Sequence, residues 1–196
     1  MFNHGKKTIR GWMQPIGRLL SQANPNLITL TGLVLAITAG LLLATRRLAL
    51  GGVFILLSGF FDVLDGSVAR EAKRVTAYGG FIDSVSDRYS DAAILIGAMC
   101  SGEIAMPSLY PPIPWFWGAV ALIGSYMVSY TRAKAEAAGT SATIGIAERA
   151  ERLIIIAAGA ITGYLNIAVF TVAILTHITT IQRIYHVKTM LKKEKR

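Results

Sequence analysis

Residues 48–91 read LALGGVFILLSGFFDVLDGSVAREAKRVTAYGGFIDSVSDRYSD. The stretch opens as an apolar run and then turns acidic at Asp62 and Asp65. After a polar link over 70–78, a second apolar segment starts at Phe81, with Asp83, Asp87 and Asp91 near its head. A membrane span needs about 20 mostly apolar residues, so the pattern predicts two consecutive spans, 48–68 and 81–100. So short a link makes them antiparallel neighbours. Asp62 and Asp65 are three residues apart and Asp83 and Asp87 four, so each pair shares a helix face. Antiparallel packing then sets both faces at one depth, and four carboxylates can converge.

Working outward, apolar runs over 27–44, 114–130 (continuing in polar form to 138), 153–164 (extended backwards by the charged turn 146–152) and 167–185 complete a set of six spans. The expected fold is therefore an all-α membrane protein with six transmembrane helices. Composition agrees: 53% of the 196 residues are hydrophobic and 16% charged, against about 25% charged in soluble domains. The net charge is +9 and the mean hydropathy +0.51. A nucleic-acid binder of that charge would carry far more polar surface, so no nucleic acid is expected as a partner. A disordered chain is excluded by the apolar content. The single Cys100 rules out an internal disulfide framework and a cysteine metal cluster.

Residues 1–22 are basic and amphipathic, without the apolar core of a secretory signal. They read as an interfacial helix anchored by Trp12, ahead of a six-helix domain over 23–188 and a basic tail over 189–196 that suits anionic membrane lipids. Basic residues sort the loops. Arg70, Lys73, Arg74, Arg132, Lys134, Arg149, Arg152, Arg183 and both terminal segments fall on one side, and only Arg46 and Arg47 on the other. The positive-inside rule makes the first side cytoplasmic, places both termini there, and predicts a multi-pass protein of the cell membrane.

All five aspartates lie between Asp62 and Asp91, at the cytoplasmic ends of the second and third spans. One carboxylate at a span's centre costs about 2.5–3.5 kcal/mol. Several near a span's end still need cations, or they repel and protonate. Hard oxygen ligands suit Mg²⁺ or Mn²⁺. Gly66, Ser67, Ala69, Gly79 and Gly80 leave room for a substrate against the backbone, and Arg70, one turn past Asp65, can meet an anionic group. The simpler reading is a set of helix-bracing charge pairs such as Asp62 with Arg88.

Asp62-x2-Asp65-Gly66-x2-Ala69-Arg70-x8-Gly79-x3-Asp83-x3-Asp87 resembles the signature of the CDP-alcohol phosphotransferases, without departure at any of its eight positions. The six-span layout is similar to that family as well. The resemblance implies displacement of CMP from a CDP-linked lipid by an alcohol hydroxyl, at a site facing the cytoplasm. It implies Asp62, Asp65 and Asp83 as ligands of two Mg²⁺ or Mn²⁺ ions, and Asp87 as a further metal ligand or as the general base. It further implies Asn26, Thr29, Asp62, Gly66, Ala69, Arg70 and Gly79 around the nucleotide and its diphosphate, and a homodimer. Small-residue faces at Gly118 and Gly124 also suggest helix association.

Arg132, Lys134, Arg149, Arg152 and Arg183 belong at the depth of the aspartates. Several cations around a cavity suit a phosphate dianion, which selects an acceptor such as inositol phosphate or glycerol phosphate over free serine. The segments 129–137, 148–153 and 182–183 resemble those of prokaryotic phosphatidylinositol-phosphate and archaetidylinositol-phosphate synthases. That resemblance implies inositol 1-phosphate as acceptor, bound by those five residues, and CDP-diacylglycerol or CDP-archaeol as donor. Glycerol 3-phosphate is the alternative acceptor. From another class, a divalent-cation transporter would use the same aspartates as a transit site, nearer the middle of the membrane.

Overall fold

The computed structural model describes residues 22–106 and 113–194. The expected interfacial helix, the proline-rich stretch after Met106 and the end of the basic tail lie outside the described residues. Among the described residues six helices form: α1 (Pro25–Ala44), α2 (Leu48–Glu71), α3 (Ala77–Ser101), α4 (Phe116–Ala137), α5 (Arg149–Thr162) and α6 (Leu165–Glu194). Of these, α1, α2 and α6 are long and apolar enough to cross a membrane.

Local chemistry sets the ends. The Asn24 side chain accepts from the Asn26 amide, and Pro25 enters the first turn of α1, where its missing N–H costs nothing. Thr76 caps α3 by accepting from the Gly79 amide at 3.0 Å. Gly102 and Gly163 end α3 and α5 with φ of 74° and 80°, a left-handed turn that suits glycine.

The helices close into a ring. α1 packs on α2 and α3, α3 on α4, α4 on α6, α6 on α5, and α5 back on α2. Small residues allow the close crossings. A Cβ on Gly97 of α3 would run into the backbone of Gly40 of α1, and one on Gly52 of α2 would meet the Ala157 carbonyl of α5 at 2.8 Å. Gly118 and Gly124 are used in the same way, against Met99 of α3 and Thr176 of α6. The helix association expected of these small faces is thus seen within the chain. A core of Ala36, Leu43, Ile55, Ile94, Leu95, Ile156, Val169 and Val172 fills the ring.

One element departs from expectation. The predicted fifth span is an α5 of only 14 residues, about 21 Å long. Residues 139–148 ahead of it form an irregular loop, which Gly145 (φ 136°) seats against Thr179 of α6. The Thr179 hydroxyl accepts from the amides of Ile146 (3.3 Å) and Ala147 (3.1 Å). The loop therefore delivers Arg149 at a fixed height. By contrast, α6 runs for 30 residues, about 45 Å.

Candidate active site

Alternation of the helices brings the end of α2, the starts of α3 and α5 and the end of α4 to one end of the ring. There Asp62, Asp83 and Asp87 each offer a carboxylate oxygen within 4.8 Å of the others. One oxygen of Asp83, Oδ1, is buried with no hydrogen-bond partner. Three converging hard oxygens, one of them unsatisfied, fit a divalent cation of the Mg²⁺ or Mn²⁺ type. Arg149 supplies positive charge to the group, its Nη1 lying 2.6 Å from Asp62 and 2.7 Å from Asp87. The helix-bracing alternative of Asp62 with Arg88 does not form; Arg88 lies 3.2 Å from Asp87 instead.

Asp65 stands apart from this trio. It is 5% exposed, and its Oδ2 accepts from the Thr29 hydroxyl at 2.5 Å, which turns it toward α1. It lines a cavity of about 260 Å³ together with Asn26, Thr29, Gly66, Ala69, Arg70, Gly79 and Asp83. Every expected nucleotide-site residue except Asp62 is therefore in that wall. Asp62 faces Arg149, and it borders a small void shared with Ser58, Ser86 and Ser90. Arg74 and Thr76, which carry no role in the sequence pattern, complete the wall from the α2–α3 link.

A second cavity, of about 430 Å³, lies between α3, α4, α5 and α6. Asp83, Asp87, Arg88, Arg132, Arg149, Arg152 and Arg183 line it. Four of the five expected acceptor-binding residues are thus together, and Lys134 is not. Its side chain turns back one helical turn, with Nζ 5.8 Å from the centre of the Tyr130 ring. The four arginines also differ in what they already hold. Arg183 is buried, donating from Nε to the Ile144 carbonyl at 2.8 Å and from Nη1 to that of Val128. Arg152 is 2% exposed and donates to Asp91 at 2.6 Å and to the Ala147 carbonyl at 3.2 Å. Arg132 pairs with Glu136 at 3.0 Å on the exposed rim. Arg149 reaches the cavity directly beside Asp87.

Sequence reasoning gave no place in the acceptor site to two features of this wall and one residue behind it. Glu136 and Glu148 line it, so the cavity is zwitterionic rather than purely cationic. Arg88 is the fifth arginine, signalled only by its place next to Asp87. Asp91 continues the Asp83, Asp87 series by one further turn, and the i, i+4, i+8 spacing was the available signal.

Comparison with known proteins adds independent findings. A family model described as CDP-alcohol phosphatidyltransferase matches residues 22–183. The archaetidylinositol phosphate synthase of Methanothermobacter thermautotrophicus is 41% identical, over 98% of this chain and 96% of the relative. The phosphatidylinositol phosphate synthase of Mycobacteroides abscessus is 32% identical, over 94% and 87%. Among solved structures, the phosphatidylinositol phosphate synthase of Mycobacterium tuberculosis with CDP-DAG bound superposes with a TM-score of 0.77 at 30% identity, covering 89% of this chain and 92% of that one. The same enzyme in complex with manganese and citrate gives 0.78 at 29% identity, covering 90% and 89%.

Proposed function

Because this chain belongs to the CDP-alcohol phosphatidyltransferase family, we propose that it joins inositol 1-phosphate to a CDP-activated lipid and releases CMP. The observation that carries the reading is that Asp83 lines both cavities. The cavity of the signature residues suits the CDP headgroup, and the arginine-lined one suits a phosphorylated alcohol. A hydroxyl in the second is then within reach of a phosphorus atom at the mouth of the first.

Asp87 lines the acceptor cavity and not the donor cavity, which favours it as the base that takes the proton of the attacking hydroxyl. The new P–O bond forms from that oxygen as the bond to CMP breaks, and CMP leaves with the electron pair. Arg70 would hold the diphosphate, and Arg149 the acceptor phosphate beside the base. Asp62, Asp83 and Asp87, with Asp65 adjoining, would hold one or two Mg²⁺ or Mn²⁺ ions, which offset the charge developing on the leaving phosphate.

The archaeal relative is the more similar of the two synthases compared, 41% against 32%, which supports CDP-archaeol as donor and archaetidylinositol phosphate as product. Six spans, cytoplasmic termini and a cytoplasm-facing site in the cell membrane belong to the same proposal and rest on the charge asymmetry of the loops. A homodimer rests on the family resemblance. A transporter using the same aspartates is not favoured, given the family.

The test is CMP release by purified protein with CDP-archaeol and Mg²⁺ or Mn²⁺, across inositol 1-phosphate, glycerol 3-phosphate, free inositol and serine. Release dependent on inositol 1-phosphate is expected. Release with glycerol 3-phosphate alone would overturn the acceptor assignment, and release with none would overturn the reaction.

A further inference from the structure

We propose that Asp91 is the positioning residue of the acceptor cavity, setting its preference for a phosphorylated alcohol although it does not line the cavity itself. The inference rests on the acceptor reading above and deepens it. Asp91 is 3% exposed and sits on α3 one turn beyond Asp87. Its Oδ2 accepts from Nη2 of Arg152 at 2.6 Å, and its Oδ1 lies 3.7 Å from Nε of Arg149. One carboxylate thus touches both arginines of α5.

The geometry divides the work between those arginines. Arg152 has Asp91 on one side and the Ala147 carbonyl on the other, so its guanidinium ties α3 to the loop that delivers α5. Arg149 reaches past it to Asp87. A guanidinium between Asp62, Asp87 and Asp91 is held by charge on three sides. The pull of Asp91 on Nε opposes that of Asp62 and Asp87 on Nη1, and it keeps part of the group available to the cavity. Without Asp91, Arg149 collapses onto the carboxylate trio, Arg152 loses its anchor, and the cavity loses the cations that read the acceptor's phosphate. A buried guanidinium deprived of its carboxylate is also left uncompensated.

The charged neighbours of Asp91 come from several elements: Asp87 and Arg88 on its own helix and Arg149 and Arg152 on α5, with the Tyr126 hydroxyl of α4 nearby, donating to the Arg88 carbonyl at 3.2 Å.

The test compares inositol 1-phosphate with free inositol, using the full chain in detergent. For Asp91→Asn, the KM for inositol 1-phosphate should rise at least about tenfold, the scale of one charge-assisted contact, with the KM for the CDP-lipid unchanged. The preference for inositol 1-phosphate over inositol should shrink by the same factor. A purely structural defect would lower turnover with both acceptors and leave their ratio intact, and that result overturns the proposal. Asp91→Asn paired with Arg152→Gln leaves no unmatched buried charge. It keeps the question answerable where the single variant folds poorly, and it should lose the preference further than Arg152→Gln alone, because Arg149 is released as well. If the wild type does not distinguish the two acceptors at all, the acceptor reading fails instead; if it does and both variants do as well, Asp91 has no positioning role.

Discussion

Asp87 and Asp83 are one helical turn apart, yet their surroundings give them different tasks. Asp83 borders both cavities and has an unsatisfied buried oxygen, whereas Asp87 faces only the arginine-lined side with Arg149 and Arg88 on its two oxygens. Asp87→Asn should therefore lower kcat for CMP release by about 10²–10⁴-fold, the span of general base catalysis, with little change in the KM for the CDP-lipid. Turnover near wild type would remove Asp87 from the base role. Thr29 presents a complementary case on the donor side. Thr29→Val removes the hydroxyl that Asp65 accepts from and should raise the KM for the CDP-lipid more than that for the acceptor, in the same steady-state assay. The aspartates were legible in the sequence because carboxylates within apolar segments need an explanation. The turning of Asp65 toward Thr29, and of Lys134 toward Tyr130, was not. The first depends on the rotamer that the neighbouring α1 admits, and in the second spacing allows Lys134 either the cavity or Tyr130 one turn back on its own helix.

At the scale of elements, the site depends on two devices that hold helix ends still. The first is the crossing of α1 and α3, where Gly40 and Gly97 bring backbone against backbone. Gly97→Ala places a methyl group where the opposing carbonyl cannot yield, and should destabilise the fold by about 1–3 kcal/mol, read as a lower thermal midpoint in detergent. The second is the Thr179 hydroxyl, which receives two amides of the loop before α5. Thr179→Val leaves both amides unsatisfied, at a cost of about 1–3 kcal/mol each. It should raise the KM for the acceptor phosphate more than that for the CDP-lipid, because Arg149 follows directly from that loop. Apolar runs and their polar breaks located four of the six helices to within a few residues, while α6 runs on in polar sequence to Glu194, past the expected end at 185. The fifth was extended back to 146 through the charged turn, yet Ile144 and Ile146 lie in the loop ahead of Arg149. Their backbone instead serves Arg183 and Thr179, a tertiary use that hydropathy does not register.

For the whole molecule, the ring of helices gathers both cavities at one end. The opposite end carries Arg46, tied to the Ser101 carbonyl at 3.1 Å and lying 3.6 Å from Glu103. The proposed topology puts the cavity end in the cytoplasm. In a Cys100→Ala background, a cysteine replacing Arg47 should react with a membrane-impermeant maleimide in intact cells, and one replacing Ala138 only after permeabilisation; the reverse pattern would invert the protein. The proposed orientation rests on loop charge, whereas the meeting of two cavities at Asp83 could be read only once all six helices were in place. The central claim is that this meeting point joins a CDP-lipid to a phosphorylated inositol. The most direct measurement is the mass of the lipid formed when purified protein is given CDP-archaeol, inositol 1-phosphate and Mg²⁺. Archaetidylinositol phosphate, formed in equal amount to CMP and lost in Asp87→Asn, is the predicted result. CMP accumulating with no inositol-bearing lipid, or no dependence of the product on inositol 1-phosphate, would contradict the account.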